Sequence, residues 1–557
     1  MWIACPPEKL AEFSRRTGVV DRPVLPPSPS PSRDRLALLG VVLLLLLPFL
    51  RKAVNIDGAF FLAIADHITQ NPLHPYDFHY NWTGRLDYVW DEMKNPPFIF
   101  YFQALLLRLF GRSEILLNAA FLIFPVAATM AMYALARRRL PRPRYASLLL
   151  VVSPAFLVSS ASLMMDVALL AFYSIAIACF VAGAEQNRND LRFAAGLAAA
   201  LAVLTKYFAL TLIPLLGVYA ILHRKDLTKN LTVLLLPIAA YTLWHLHGVY
   251  YHGTGHFLNA MAYGADRHAH PGHFLRQMIS TLTFTGGLLA APLLAFLAFG
   301  KRRAAMGVAL GFAAAIALLW KAESALRFQV SAPNRVLLVL LAAGTLVYLA
   351  RALSDIFSRQ DPFGWLLRLW LWGGVVFCFY FNWTVNARTV LLFAPPALIL
   401  FARWTEDNAT LRRTAIALGL AIALLVSLAD YEFAEFGRRE AAWVGDRYGD
   451  DERVRFVGHW GFQYYMERAG YRHIDFGNPA LEPGDRAVIP MMHTASNRPL
   501  WELPKTHRIE GVYYRSTWLP LLVMNSQAGA GLHGSFLGLL PFAYSELPVD
   551  IVEIWRW

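Results

Sequence analysis

Cysteine, charge and nucleotide-binding motifs are all scarce in this chain, and each scarcity removes a class of protein. The 557 residues hold only three cysteines, Cys5, Cys179 and Cys378, and their wide separation argues against a disulfide framework and a thiolate metal site. Charged residues make up 16% of the chain against 57% hydrophobic, and the mean hydropathy is +0.41. That balance excludes a soluble globular fold. No phosphate-cradling loop or dinucleotide fingerprint opens a helix. The early apolar stretch of a signal peptide is missing as well: residues 1–35 carry a Pro/Ser-rich segment at 23–31 and read as a disordered cytoplasmic tail.

What the chain does have is repeated apolar runs, among them 36–50, 115–136, 233–246, 304–320 and 414–429. Several approach the ~20 residues a bilayer needs, and together they predict about thirteen transmembrane helices. The net charge of +13 does not gather on one soluble face, so nucleic acid is not an expected partner. Instead Arg137, Arg138 and Arg139, then Arg224 with Lys225, Lys301 to Arg303, Arg351, and Arg412 with Arg413 fall in alternate short loops, which the positive-inside rule places in the cytoplasm.

From an inside start, residues 36–429 form the membrane domain and residues 51–97 its first outer loop. The apolar stretch 98–110 is short for a crossing and is expected to lie at the interface. An odd number of spans leaves residues 430–557 outside as a soluble α/β domain of about 125 residues, enough to bury a core.

Asp57 lies a few residues past the first run. A carboxylate shielded from bulk water there could take the proton of an attacking hydroxyl or amine; a helix cap is the alternative reading. Arg51 and Lys52, placed outside, either snorkel to headgroups or attract a phosphate-bearing lipid. Asp91 and Glu92 could contact an acceptor or a cation, or form a solvated turn. Seven histidines between 245 and 273, including His268 and His270, invite a metal reading, although their spacing fits no compact zinc signature. Near the end, His459, Trp460, Phe462, Tyr464 and Tyr465 form either a sugar-stacking surface or core packing.

The order of these pieces resembles the GT-C superfamily of membrane glycosyltransferases, in particular the protein O-mannosyltransferase and aminoarabinose transferase group. Asp57 follows the first span, Pro96-Pro97 closes the first outer loop, and Leu109-Phe110-Gly111 ends the next helix. Asp166 then opens a span, Lys206 sits in the next outer turn, and Arg388 precedes Pro395-Pro396. The likeness covers residues 36–403. Departures are Gly58 where many members carry a second acid, Asn95 rather than Lys before Pro-Pro, and Thr389 after Arg388 where Tyr is common.

The resemblance implies inverting transfer from a polyprenyl-phosphate sugar to a lipid, glycan or protein acceptor at the outer membrane face. In that reading Asp57 is the base, Lys206, Arg388 and Lys94 hold the donor phosphate, and Asp166 pairs with Lys206 or orients the acceptor. No cofactor is firmly implied, and a divalent metal stays open. The lack of a soluble inside domain for a nucleotide sugar also points to a lipid-linked donor. A transporter or flippase of lipid-linked saccharides is the alternative, and it would call for internal repeats, of which none is clear.

Overall fold

The computed structural model describes residues 31–268, 270–298, 301–357, 361–491, 500, 503, 507–514, 516 and 518–557. The expected tail therefore lies outside the described residues, apart from its last few positions. Among the described residues seven helices are long and apolar enough to cross a bilayer: Glu114–Ala136, Asp166–Gln186, Leu227–His252, Met306–Ala325, Ala332–Ser354, Pro362–Phe381 and Ala409–Tyr448. Two bent pairs, Pro143–Val151 with Pro154–Ser160 at 60° and His273–Leu289 with Ala291–Leu297 at 87°, raise the number to nine at most. The chain is a multi-span helical membrane protein.

The difference from about thirteen has a local cause. Several apolar runs are broken or stop short of a bilayer's thickness. The first helix, Pro31–Leu46, has 16 residues and passes into a 3₁₀ turn at Leu47–Phe49, whose proline cannot donate to a helical ladder. Phe98–Phe110 has 13 residues and is only about 20 Å long.

Residues 51–97 are not an open loop. Gly58–Gln70 is a helix that buries Phe60, Phe61, Leu62 and Ile64, and His79–Asn81 pairs antiparallel with Leu86–Tyr88. This hairpin docks on the C-terminal residues: Phe476 N donates to Gly84 O at 2.8 Å, and Asn81 Nδ2 donates to Ile474 O at 3.1 Å. Phe60 stacks on Tyr80 and Trp82 at 5.5 and 5.1 Å.

Beyond the membrane helices lies a five-stranded sheet, in the order Arg472–His473, Val454–Phe456, Arg486–Pro490, Ile551–Arg556, Arg508–Tyr514. Val454–Phe456 runs parallel to both of its neighbours, while Ile551–Arg556 is antiparallel to both of its own. Helix Trp460–Arg468 makes the first crossover. Helix Ala409–Tyr448 continues for 40 residues across position 429. One apolar core joins the membrane helices to Val454, Phe456, Val488, Leu522 and Ile554.

Two histidines, His256 buried and His473 half-buried, brace the first segment. His256 donates or accepts at Tyr207 OH, 2.7 Å away, and packs on Tyr76 and Trp90. His473 stacks on Phe456 and donates from Nδ1 to Asn81 O at 3.2 Å. Burial pushes each imidazole down to about 3. In the unfolded chain both rings take a proton at about 6.5. Their contribution is therefore fully present above pH ~6.5 and falls as pH drops from there towards 3, by up to ~1.4 kcal/mol per pH unit for each ring. Glu467 is raised by burial and acts in the opposite sense. When thermal unfolding is followed from pH 7 to pH 5, the stability of the wild type relative to a His256→Phe, His473→Phe double variant should fall as the pH drops.

Candidate functional site

The segment that delivers Asp57 is fixed by its backbone. Ala53 N donates to Glu435 Oε1 at 3.2 Å, and Val54 N donates towards Tyr465 OH at 2.9 Å. Gly461 lies so close that a Cβ there would stand 2.3 Å from Val54 O, a contact no side chain tolerates. Ile56 takes φ 50°, a strained conformation for a β-branched residue. Asp57 then occupies the N-cap position of Gly58–Gln70, but its side chain makes no capping bond. The carboxylate turns instead to Arg388, whose Nη1 donates to Asp57 Oδ2 at 3.0 Å.

Arg388 sits in the short helix Ala387–Leu391, opened by a reciprocal capping box between Asn386 and Thr389. Its Nε lies 3.8 Å from Asp166 Oδ2, and Asp166 Oδ1 accepts from Lys206 Nζ at 2.6 Å. Asp166 is the first residue of helix Asp166–Gln186, and Lys206 is the residue before the 3₁₀ turn Tyr207–Thr211. Four groups from four separate segments thus alternate in charge: Lys206, Asp166, Arg388, Asp57.

Accessibility along this row decides what it can do. The side chains of Asp166 and Arg388 are 3% and 10% exposed, while those of Lys206 and Asp57 are 27% and 34% exposed. A buried ion pair is therefore flanked by an open ammonium and an open carboxylate. Arg388 Nε and Asp166 Oδ2 are both buried without a hydrogen-bond partner among the described residues, an arrangement that costs free energy unless a further group completes it.

Lys94, Asp91 and His268 bond to partners outside this row. Lys94 donates to the Asp91 carbonyl and rests 5.2 Å over the Tyr263 ring, and burial pushes its ammonium below its usual value. Tyr263 in turn lies within electrostatic reach of Asp57 and Glu92. Asp91 Oδ1 accepts from Asn259 at 3.4 Å. Glu92 is partly buried at the end of the short helix Val89–Glu92. His268 bonds back to Gly264 O in its own helix, its ring 4.6 Å from that of His273, and His270 is exposed. Among the described residues no three His, Cys, Asp or Glu side chains converge to hold a metal ion. The described residues do not fit one.

Sequence reasoning missed the support behind Arg388. Leu532 O accepts from Ala387 N at 2.8 Å, and Ser535 Oγ accepts from Val385 N at 3.0 Å, so a C-terminal loop holds the arginine's turn. The adjacent His533 donates from Nε2 to Asp430 Oδ1 at 2.7 Å, and Asp430 is also ion-paired to Lys52. Lys52 neither snorkels nor faces lipid: it is 4% exposed. The one signal available was an acid at position 430 directly after an apolar run.

Fold and site together define a polytopic helical membrane protein with a charge-alternating polar centre at one end of its helix bundle. Residues 94–245, less than half of the chain, match the family model of dolichyl-phosphate-mannose-protein mannosyltransferases. This bears out the resemblance read from the sequence over that stretch, which holds Lys94, Asp166 and Lys206. No curated protein matches the chain by sequence. Among solved structures, ArnT from Cupriavidus metallidurans bound to undecaprenyl phosphate is similar at 14% identity and TM-score 0.41, covering 83% of this chain and 94% of that one. The Archaeoglobus fulgidus oligosaccharyltransferase tethered with an acceptor peptide is similar at 14% identity and TM-score 0.48, covering 80% and 64%. The S. cerevisiae protein O-mannosyltransferase Pmt1-Pmt2 complex bound to the sugar donor is similar at 15% identity and TM-score 0.31, covering 46% and 36%.

Proposed function

We propose that this chain is an inverting glycosyltransferase that moves a sugar from a polyprenyl-phosphate donor to an acceptor at the outer membrane face. The observation that carries the reading is the row Lys206, Asp166, Arg388, Asp57, with its open ends and its incompletely bonded middle. The acceptor hydroxyl or amine gives its proton to the Asp57 carboxylate as its oxygen or nitrogen bonds to the anomeric carbon. On the opposite face of the sugar the bond from that carbon to the phosphate oxygen breaks, and polyprenyl phosphate leaves with the electron pair. Arg388 and Lys206 hold the charge that develops on it. Asp166 keeps both cations in place and balances them while no donor is bound.

Arg388 has a second role in this scheme. Its guanidinium is shared with Asp57 at rest, and a donor phosphate competes for the same donors. Donor binding thereby loosens Arg388 from the base that has to accept the proton. An apolar cavity of about 240 Å³ is lined by Tyr173, Phe208, Pro214, Leu215, Leu369 and Trp370, of which Phe208 follows Lys206 by two residues and Tyr173 belongs to the helix that Asp166 opens. It is suited to the start of an isoprenoid chain whose phosphate reaches Lys206. Residues 51–97 and 430–557 cover this end of the bundle, and the basic loops read from the sequence support an outer position for it. Lys94, Asp91 and Glu92 form the rim that an acceptor would meet, with His268 and His270 further out.

The test is chemical. The full chain purified from membranes is expected to carry a polyprenyl-phosphate sugar identifiable by lipid mass spectrometry, and to release polyprenyl phosphate from it when acceptor is added. Movement of the intact lipid-linked sugar across a proteoliposome bilayer, with no bond cleaved, would replace this reading with a transporter.

A further inference from the structure

A basic cavity lies beside the start of the segment that carries Asp57, with Arg51 in its lining. It measures about 520 Å³ and is lined by Arg51, Arg112, Arg438, Arg468, Glu114 and Glu435, with Tyr431 and Ile115 beside them. We propose that it binds the phosphate monoester of an anionic lipid headgroup. The proposal concerns binding alone and does not depend on the transferase reading.

The charge balance makes the first argument. Arg438 takes both carboxylates of the lining, at 2.9 Å from Glu114 Oε2 and in a close pair with Glu435. Glu114 also accepts from Tyr465 OH at 2.6 Å, and Glu435 accepts from Ala53 N at 3.2 Å. Arg112 pairs with Asp66 at 3.0 Å. Arg468 bonds to a neutral phenol, Tyr464 OH, at 3.1 Å. Neither Arg51 nor Arg468 has a carboxylate within ion-pair distance among the described residues, so two exposed guanidinium groups face one cavity unneutralised. A phosphate monoester carries up to two negative charges and accepts two parallel bonds from each guanidinium.

Position makes the second argument and selects a lipid over a soluble anion. Tyr431, Glu435 and Arg438 occupy one face of helix Ala409–Tyr448 at helical spacing, and one to two turns before them Leu425 and Leu428 are exposed. Leu44 and Leu47 precede Arg51 and are 72% and 50% exposed, while Ile115 and Leu116 follow Glu114 and are likewise exposed. Two helix ends and the interior of helix Ala409–Tyr448 thus change from open leucine and isoleucine to the arginines that line one cavity, as happens where hydrocarbon gives way to headgroups. Arg51 is also only six residues from Asp57, at most about 20 Å along the chain.

The experiment measures binding of dioctanoyl phosphatidic acid to the detergent-solubilised full chain, with dioctanoyl phosphatidylcholine as the neutral control and inorganic phosphate as the soluble competitor. Phosphatidic acid should bind saturably and phosphatidylcholine should not. Arg51→Gln with Arg468→Gln should weaken binding on the order of 30-fold, at about 1 kcal/mol per basic residue near a membrane surface. Lysine at both positions should lose less, because it keeps the charge and loses only the paired geometry. Asp57→Asn should bind as the wild type does, which separates this site from the proposed reaction. Equal binding by the double Gln variant overturns the proposal. Displacement by inorganic phosphate at the same concentration overturns the lipid assignment in favour of a soluble phosphate.

Discussion

Asp57→Asn should lower kcat for sugar transfer by about 10²–10⁴-fold while leaving the protein folded and the donor KM equal to or below that of the wild type. The asparagine side chain has the same shape and can still accept from Arg388, but it cannot take a proton from the acceptor. Its neutral amide also competes less well than a carboxylate for the guanidinium, so the donor phosphate meets a freer Arg388. A loss confined to kcat is the signature of an interaction made only in the transition state. Cap loss would behave differently, and Asp57 makes no side-chain capping bond to lose. Transfer within about tenfold of wild type, measured with a polyprenyl-phosphate sugar in a reconstituted assay, would falsify Asp57 as the base.

Asp430→Ala should cost about 3–5 kcal/mol of stability, because removing one member of a buried ion pair strands the other. The Asp430 side chain is fully buried, ion-paired to Lys52 and accepting from His533 Nε2 at 2.7 Å. Lys52 would be left as an uncompensated charge at 4% exposure. Replacing both partners, Lys52→Met with Asp430→Leu, should recover most of the loss, since an apolar pair of similar volume avoids the desolvation that the ions incur. Thermal unfolding of the two single variants and the double variant gives the coupling directly. Additive losses with no recovery would show that the pair does not work as a unit. Transfer activity should fall in the single variants as well, because Lys52 leads into the Asp57 segment and His533 adjoins Leu532, which holds the backbone of Ala387.

These two expectations differ in how far the sequence could have supplied them. Asp57, Asp166, Lys206 and Arg388 were all legible as single residues, since each stands where an apolar run begins or ends and a charge there is costly without a purpose. The pairing of Asp166 with Lys206 was anticipated as one possibility. The contact of Asp57 with Arg388 was not, because the two are 331 positions apart and nothing local links them. Lys52 and Asp430 are 378 apart, and the adjacency of Lys52 to Arg51 suggested a headgroup role that the burial of Lys52 rules out for it. The apparent openness of residues 51–97 misled for a similar reason: their polar and aromatic side chains meet partners from residues 460–476, which lie some 400 positions away along the chain.

Composition by itself determined that this chain lives in a membrane as a bundle of helices, because apolar surface on that scale cannot be covered in water. The order of residues also determined which charged residues stand at the ends of the apolar runs. Tertiary structure alone decided which runs bend or stop short, that the first segment is folded against the C-terminal sheet, and that four charges from distant segments form one row. The physical reason is the same in each case. Burial in hydrocarbon is a local property of a stretch of residues, whereas neutralising a buried charge requires a partner, and only the fold determines which partner arrives.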